Sequence, residues 1–256
     1  MIFAVDIGNT HIVLGCMEGM DIKYMCRITT DRLRTENEYA ISIKNQLDFA
    51  GIDPRGFDGA IISSVVPPLT RDVSKAITLV TGERPLVVGA GIKTGVNIML
   101  DDPAETGSDL VVAAAAALKL YKPPVIIVDM GTATTITVLD EKGRFIGGAI
   151  VPGVKLSLEA LTSRTSLLPK IPLDPPKCVI GSNTIECMKS GSVLGTASML
   201  DGMIDRIEEE LGSRTTVVAT GGIANSIIPL CRHDIIRNDD LLLYGLAVTY
   251  EKNVKK

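Results

Sequence analysis

The chain lacks any apolar run long enough to cross a bilayer. Its longest, Leu110–Leu118, stops at Lys119, whereas a spanning helix needs about 20 residues. No basic stretch opens the sequence, and an acid already stands at position 6, so neither a secretory leader nor a membrane partner is expected. No C-x-x-C spacing occurs among the cysteines at 16, 26, 178, 187 and 231. An odd, dispersed set predicts reduced, buried thiols in a cytoplasmic protein. Basic residues are not in excess: 26 Lys and Arg face 30 Asp and Glu, for a net charge of -4, which argues against a nucleic-acid partner. The only tight basic group is the tail, 252–256. No Ser/His/Asp order and no His/Cys metal set is present. No G-x-G-x-x-G occurs, and Gly91-Ile92-Lys93-Thr94 has an isoleucine where a Walker loop needs its glycine and lysine adjacent.

What the chain has instead is one design used twice. Val125–Thr137 reads VIIVDMGTATTIT: a buried strand ends in Asp129, Gly131 makes a tight turn, and threonines follow. A glycine there lets backbone approach an anion. The hydroxyls of Thr132, Thr134 and Thr135 suit phosphate oxygens, and Asp129 suits a hard cation accompanying phosphate. The N-terminus repeats the plan in IFAVDIGNTHIV, with Asp6-Ile7-Gly8 lying over Asp129-Met130-Gly131. Turns at Glu18-Gly19 and Glu141-Lys142-Gly143 then correspond, as do the later stretches IISSVVPP at 61–68 and VVATGGIA at 217–224. Either Asp-x-Gly segment alone equally suits an ordinary hairpin turn. Two in matching contexts favour a two-copy architecture, in which Asp6 and Asp129 are expected to meet across one cleft around a cation and a polyphosphate.

Along the chain, helices are expected at 36–50 and 69–81, closed by Gly51 and Gly82. Strands are expected at 60–66, ended by Pro67-Pro68, and at 85–89, followed by an irregular connection over 91–107. Asp109–Leu120 reads as a helix apolar nearly all the way round, hence buried on several sides, as an inter-domain element, a subunit interface or both. A helix and an extended loop follow over 152–176, then one or two helices over 183–211, a strand over 215–220 and a last helix over 241–250. The methionine-bearing stripe Met199, Leu200, Met203, Ile204, Ile207, Leu211 reads as core. Gly221-Gly222 suits the flat approach of a nucleotide's adenosine side. Asp109 follows Gly107-Ser108 at a helix start. It is either a first-turn aspartate stabilised by the helix N-terminus or a general base facing a substrate hydroxyl. His11 is either part of the first loop's site or a loop histidine bonding backbone.

These segments carry a resemblance. DIGNT at 6–10, SSVVPP at 63–68, KTG at 93–95, G-x-D at 107–109, VDMGTATT at 128–135, GGAIVPG at 147–153, Asn183-Thr184 and ATGG at 219–222 resemble type III pantothenate kinases, in order along nearly the whole chain. The resemblance implies an α/β fold of two ribonuclease H-like domains, 1–118 and 119–256, of the acetate and sugar kinase/Hsp70/actin superfamily, with mixed sheets flanked by helices. It implies Mg-ATP, a monovalent cation (potassium or ammonium), a homodimer, and phosphorylation of pantothenate in coenzyme A synthesis. Asp109 falls on the proton acceptor. Asp6, Ile7, Gly8, Asn9 and Thr10, with His11, Ile12 and Val13 after them, fall on the ATP-phosphate loop. Thr132 falls on an ATP contact and Asp129 on the cation ligand. Gly107, Ser108, Leu110 and Thr184 fall on the acceptor side. Two positions depart from the family pattern: Gly-Ser-Asp-Leu stands at 107–110 where it has Gly-Ala-Asp-Arg, and Leu100 stands where it has tyrosine. Leucine contacts no anion, so a different hydroxylated acceptor, or a non-catalytic ATP-binding paralogue, stands beside pantothenate kinase as an alternative.

Overall fold

The computed structural model describes residues 1–254; Lys255 and Lys256, the end of the basic tail, lie outside the described residues. The chain forms two compact units, the first from 1–96, 101–120 and the described part of 240–256, the second from 97–100 and 121–239. The expected division after residue 118 falls within the helix at whose end the chain leaves the first unit. The chain also returns to that unit from residue 240.

In the first unit, β1 (Ile2–Ile7), β2 (His11–Glu18) and β3 (Asp21–Thr29) form an antiparallel meander. Gly19, at positive φ, supplies the turn between the last two. Helix α1 (Glu36–Phe49) begins at a capping box in which Thr35 and Glu38 bond each other's backbone, and it buries Tyr39, Ile43 and Leu47. Strand β4 (Gly59–Ser64) pairs parallel with β1. Helix α2 (Pro67–Thr81) starts on the two prolines, two residues before the expected start. Their missing N–H groups need no intrahelical partner in the first turn. Strand β5 is only Leu86–Val87, shorter than expected, and it closes a sheet of order β3-β2-β1-β4-β5.

The second unit repeats this. The stretch expected to be irregular contains β6 (Asn97–Ile98) of this unit, and helix α3 (Ser108–Leu120), which belongs to the first unit, follows it. Then come β7 (Val125–Met130), β8 (Ala133–Leu139), β9 (Arg144–Pro152) and α4 (Val154–Ser163). Helix α5 (Thr184–Lys189) runs through a π-helical turn, Ser190–Leu194, into α6 (Gly195–Leu211). Strand β10 (Thr216–Thr220), the short α7 (Ala224–Ile227) and β11 (Ile236–Arg237) complete the unit. The sheet order is β11-β10-β7-β8-β9-β6. Read from its inner edge, β9-β8-β7-β10-β11 reproduces the first sheet strand for strand, with β7–β8–β9 antiparallel and β10 parallel to β7. The stripe on α6 is core: Leu200 and Ile204 are fully buried, with Met199, Met203 and Ile207 packed against them.

Helix α8 (Leu241–Asn253) packs in the first unit, where Leu243 and Leu246 share a core cluster with Ala4, Ile61 and Val112. Residues 111–117 of α3 are all buried within the single chain, so no partner subunit is needed to cover them. The thiols divide. Burial pushes Cys16 up to about 12 and Cys231 up to about 11, but Cys178 and Cys187 are exposed, correcting the expectation that all are buried. They lie on the extended loop and on α5, which leave them uncovered. No helix among the described residues is long and apolar enough to cross a membrane.

The α3–α8 contact is testable. A Cβ on Gly245 would overlap the carbonyl of Val112. In an isolated helix Gly→Ala is favourable by about 1 kcal/mol, but overpacking here should reverse the sign. Gly245→Ala is expected to lower unfolding free energy by about 1–3 kcal/mol in chemical denaturation. A stability gain would show that the helices do not meet there.

Candidate functional site

The first candidate segment is the β1–β2 turn. Gly8 N–H donates to the His11 carbonyl at 3.0 Å, and Gly8, Asn9 and Thr10 lie between the strands. The segment after β3 braces this loop. Thr30 N–H donates to the Thr10 carbonyl at 3.0 Å, Thr30 Oγ1 donates to the Gly8 carbonyl at 2.6 Å, and the Arg32 guanidinium donates to Asn9 Oδ1 at 3.1 Å. Asn9, Thr10 and His11 are exposed. Ile7 and Ile12 are fully buried in the core, so their side chains are not available to a ligand and only their backbone can contribute. Val13 packs against the cluster under α3 and α8. Asp6, half-buried, is in register with Val13 and Ser63. By strand alternation it shares the sheet face of Ala4 and Ile61, the face on which α3 and α8 pack.

The start of α3 is tied to that sheet. Ser108 Oγ donates to the Ser64 carbonyl at 3.0 Å and accepts from the Ser64 N–H at 2.9 Å. It also lies 3.0 Å from the hydroxyl of fully buried Ser63. Thr70 Oγ1 in α2 bonds Ser64 Oγ at 2.8 Å. This serine latch fixes the helix N-terminus against the tip of β4, and it occupies the Ser108 hydroxyl. Asp109 follows in the first helical turn, partly buried, with Oδ1 accepting from Leu110 N–H at 2.8 Å. A Cβ on Gly107 would come within 2.5 Å of Asp109 Oδ1, so only glycine leaves the carboxylate its position. Burial pushes the Asp109 carboxyl above the ordinary carboxylate range. Its backbone N–H bonds pull the other way, and burial wins. Leu110 is partly buried beside it.

The third segment is the β7–β8 turn. Gly131 N–H donates to the Ala133 carbonyl at 3.0 Å, so only Gly131 and Thr132 separate the strands, and both are exposed. The turn is one residue tighter than its counterpart in the first unit. Gly153 N–H donates to the Thr132 carbonyl at 3.0 Å, and a Cβ there would overlap the carbonyls of Gly131 and Thr132. Asp129 is in register with Thr135 on one side and Thr220 on the other. Gly221, at φ +95°, lies so close that a Cβ would be 2.7 Å from Asp129 Oδ1. The Thr220 hydroxyl is fully buried and has no hydrogen-bond partner among the described residues. Thr184 is the exposed first residue of α5, behind Asn183, whose Oδ1 accepts from Glu186 N–H at 3.0 Å.

Within the first unit, Asp6, Val13 and Asp109 belong to one sheet face and the helix on it, whereas Ile7 and Ile12 face the other core. Within the second, Asp129 and Thr132 share one turn. Sequence reasoning missed the latch through Ser63, Ser64 and Thr70, the packing of Gly153, and Thr220. Ser63 and Thr220 match by register, beside Asp6 and Asp129 respectively, one position apart from the alignment of the two sequence stretches, so the strand register was the signal that could have found them. Two hollows lie away from these residues, one of about 420 Å³ beside Glu208 and Arg214 and one of about 720 Å³ beside Met17 and Tyr250.

The raised Asp109 carboxyl has a consequence for stability. A carboxyl whose folded pKa lies above its unfolded value destabilises the fold where it is ionised in both states, and this penalty vanishes as pH falls through the folded value. Asp109→Asn is therefore expected to be at least as stable as the parent at pH 7, with the difference closing toward acid pH in denaturation curves. A variant less stable than the parent at pH 7 would contradict the buried-carboxylate description.

Comparison with known proteins bears on the family and the fold. The sequence model described as Type III pantothenate kinase matches residues 2–206. A relative from Moorella thermoacetica named Type III pantothenate kinase is 41% identical over 254 residues, covering 99% of this chain and 100% of its own length. Among solved structures, the activator of the 2-hydroxyisocaproyl-CoA dehydratase from Clostridium difficile, with bound ADPNP, matches with a TM-score of 0.57 at 13% identity, over 100% of this chain and 98% of its own. The ROK hexokinase from Thermus thermophilus matches with a TM-score of 0.50 at 15% identity, over 99% of each chain. These structural likenesses give the fold alone, mixed sheets flanked by helices. The full-length identity and the family match together give the narrower conclusion that the chain belongs to the type III pantothenate kinase family.

Proposed function

We propose that this chain transfers the γ-phosphoryl group of ATP to the primary hydroxyl of pantothenate, giving 4'-phosphopantothenate for coenzyme A synthesis in the cytoplasm. Family membership supports the reaction. The single observation that carries the mechanism is Asp109, a partly buried carboxylate at a helix start whose space is kept open by Gly107. As the pantothenate oxygen attacks the γ-phosphorus, Asp109 accepts the hydroxyl proton. The bond from the γ-phosphorus to the bridging oxygen breaks, and ADP leaves. A carboxyl raised toward the working pH is a better base than an ordinary one.

The exposed loop Gly8–His11, braced from Thr30 and Arg32, suits the phosphates through backbone N–H groups and the Thr10 hydroxyl. Ile7, Ile12 and Val13 take part through backbone, Asp6 helps hold the phosphates and their cation, and Thr132 supplies a second contact to ATP. A divalent metal bound with ATP neutralises charge developing on the transferred group. Asp129, with Gly221 closing on its carboxylate, suits the monovalent cation. Gly107, Ser108 and Leu110 line the acceptor side, Ser108 by its backbone because its hydroxyl is engaged, and Thr184 adds an exposed hydroxyl. A homodimer belongs to the same reading, supported by the uncovered Ile150, Leu167 and Ile180 of the second unit. One observation favours a second reading, a less anionic acceptor: Leu110 follows the base with no basic side chain on that turn.

The test is a coupled assay with pantothenate, ATP, Mg²⁺ and K⁺. The parent is expected to form phosphopantothenate. Asp109→Asn is expected to lose about 10²–10⁴-fold in kcat while keeping its affinity for ATP in calorimetry. Undiminished turnover in Asp109→Asn would remove the base. Turnover of other alcohols in preference to pantothenate would select the second reading.

A further inference from the structure

The two units place the same acid in different company. In the first, Asp6 is flanked on β4 by Ser63, whose hydroxyl is shared with Ser108 at 3.0 Å. In the second, Asp129 is flanked on β10 by Thr220, whose hydroxyl is fully buried with no partner among the described residues. A buried hydroxyl left unpaired destabilises the protein that carries it. Strand register puts Thr220 and Asp129 on the same sheet face, turned away from the core made by Ile126, Val128 and Met130. Thr135, the register partner of Asp129 on β8, brings another hydroxyl to that face. Gly221 then turns the chain over the carboxylate, leaving no room for a side chain between them. The carboxylate is therefore flanked in register by the hydroxyl-bearing Thr135 and Thr220, and oxygen donors of this kind are the chemistry of a hard cation.

We propose that the Thr220 hydroxyl is a second protein ligand, beside Asp129, for the monovalent cation that accompanies the nucleotide. The inference rests on the kinase reading only in taking the cation to act with ATP. Its lone pairs face the cation and replace water there, which is why the hydroxyl has no partner within the protein. Ser63, at the matching position of the first unit, is released from such a role because its hydroxyl is spent on the α3 latch.

The experiment uses the full chain with Mg-ATP, titrating KCl against choline chloride at constant ionic strength, and reads the melting temperature of the complex and the calorimetric affinity for ATP. Thr220→Val removes the oxygen and keeps the shape; Thr220→Ser keeps the oxygen. In the parent, K⁺ is expected to raise both readouts with a saturable midpoint. In Thr220→Val that midpoint should move to about tenfold higher K⁺ or more, on the scale of a lost metal-site partner, while Thr220→Ser stays near the parent. Without K⁺ or ATP, Thr220→Val should melt no lower than the parent, because a methyl group replaces an unpaired hydroxyl; this shows the variant is folded. A Thr220→Val midpoint equal to the parent's overturns the proposal, as does a Thr220→Ser midpoint displaced as far as that of Thr220→Val. A parent that binds ATP with no response to K⁺ overturns it as well, and leaves phosphoryl transfer to be judged by the coupled assay alone.

Discussion

A carboxylate can do chemistry at the end of a buried element only if the backbone next to it leaves room. Gly107 stands against the Asp109 carboxylate and Gly221 against that of Asp129, each so near that one added carbon would meet an oxygen at 2.5 and 2.7 Å respectively. The first keeps a carboxylate in place at a helix start. The second closes a strand tip over an anion. The rest of the architecture holds those two close approaches: the serine latch fixes α3 against β4, and Gly153 packs on the carbonyls of the β7–β8 turn.

The duplication is clearest in the sheets, where β3-β2-β1-β4-β5 and β9-β8-β7-β10-β11 have the same order and directions. The copies differ at their tips. Three residues, Gly8, Asn9 and Thr10, separate the strands in the first, and two, Gly131 and Thr132, in the second. A wider turn braced by Thr30 and Arg32 exposes polar side chains. A narrower one held by Gly153 exposes one hydroxyl beside an acid. One strand–turn–strand plan thus gives two differently shaped tips.

Much of this was legible in the sequence because the signals were local. Asp-x-Gly turns, the turns at Gly19 and Gly143, the Tyr39–Ile43–Leu47 spacing and the alanine-rich run of α3 each announce an element by its own residues. The family resemblance extended to the fold and the reaction class. The rest depends on partners distant in the chain. Strand β6 exists only because Asn97 and Ile98 find Arg144 and Phe145. The latch joins residues 45 positions apart. Pro67-Pro68 reads equally as a strand stop or a helix start, and the helix takes them because its first turn has N–H groups to spare. Thr220 carries no signal until its register with Asp129 is known.

The last helix sets the order in which the molecule can be completed during synthesis. Leu243 and Leu246 of α8 belong to the cluster containing Ala4, Ile61 and Val112, and residues 121–239 are made in between. At about 5–20 residues per second, the ribosome leaves that face of the first sheet with α3 but without α8 for several seconds while residues 121–239 emerge. The first unit therefore receives the last piece of its core only after the second has been made.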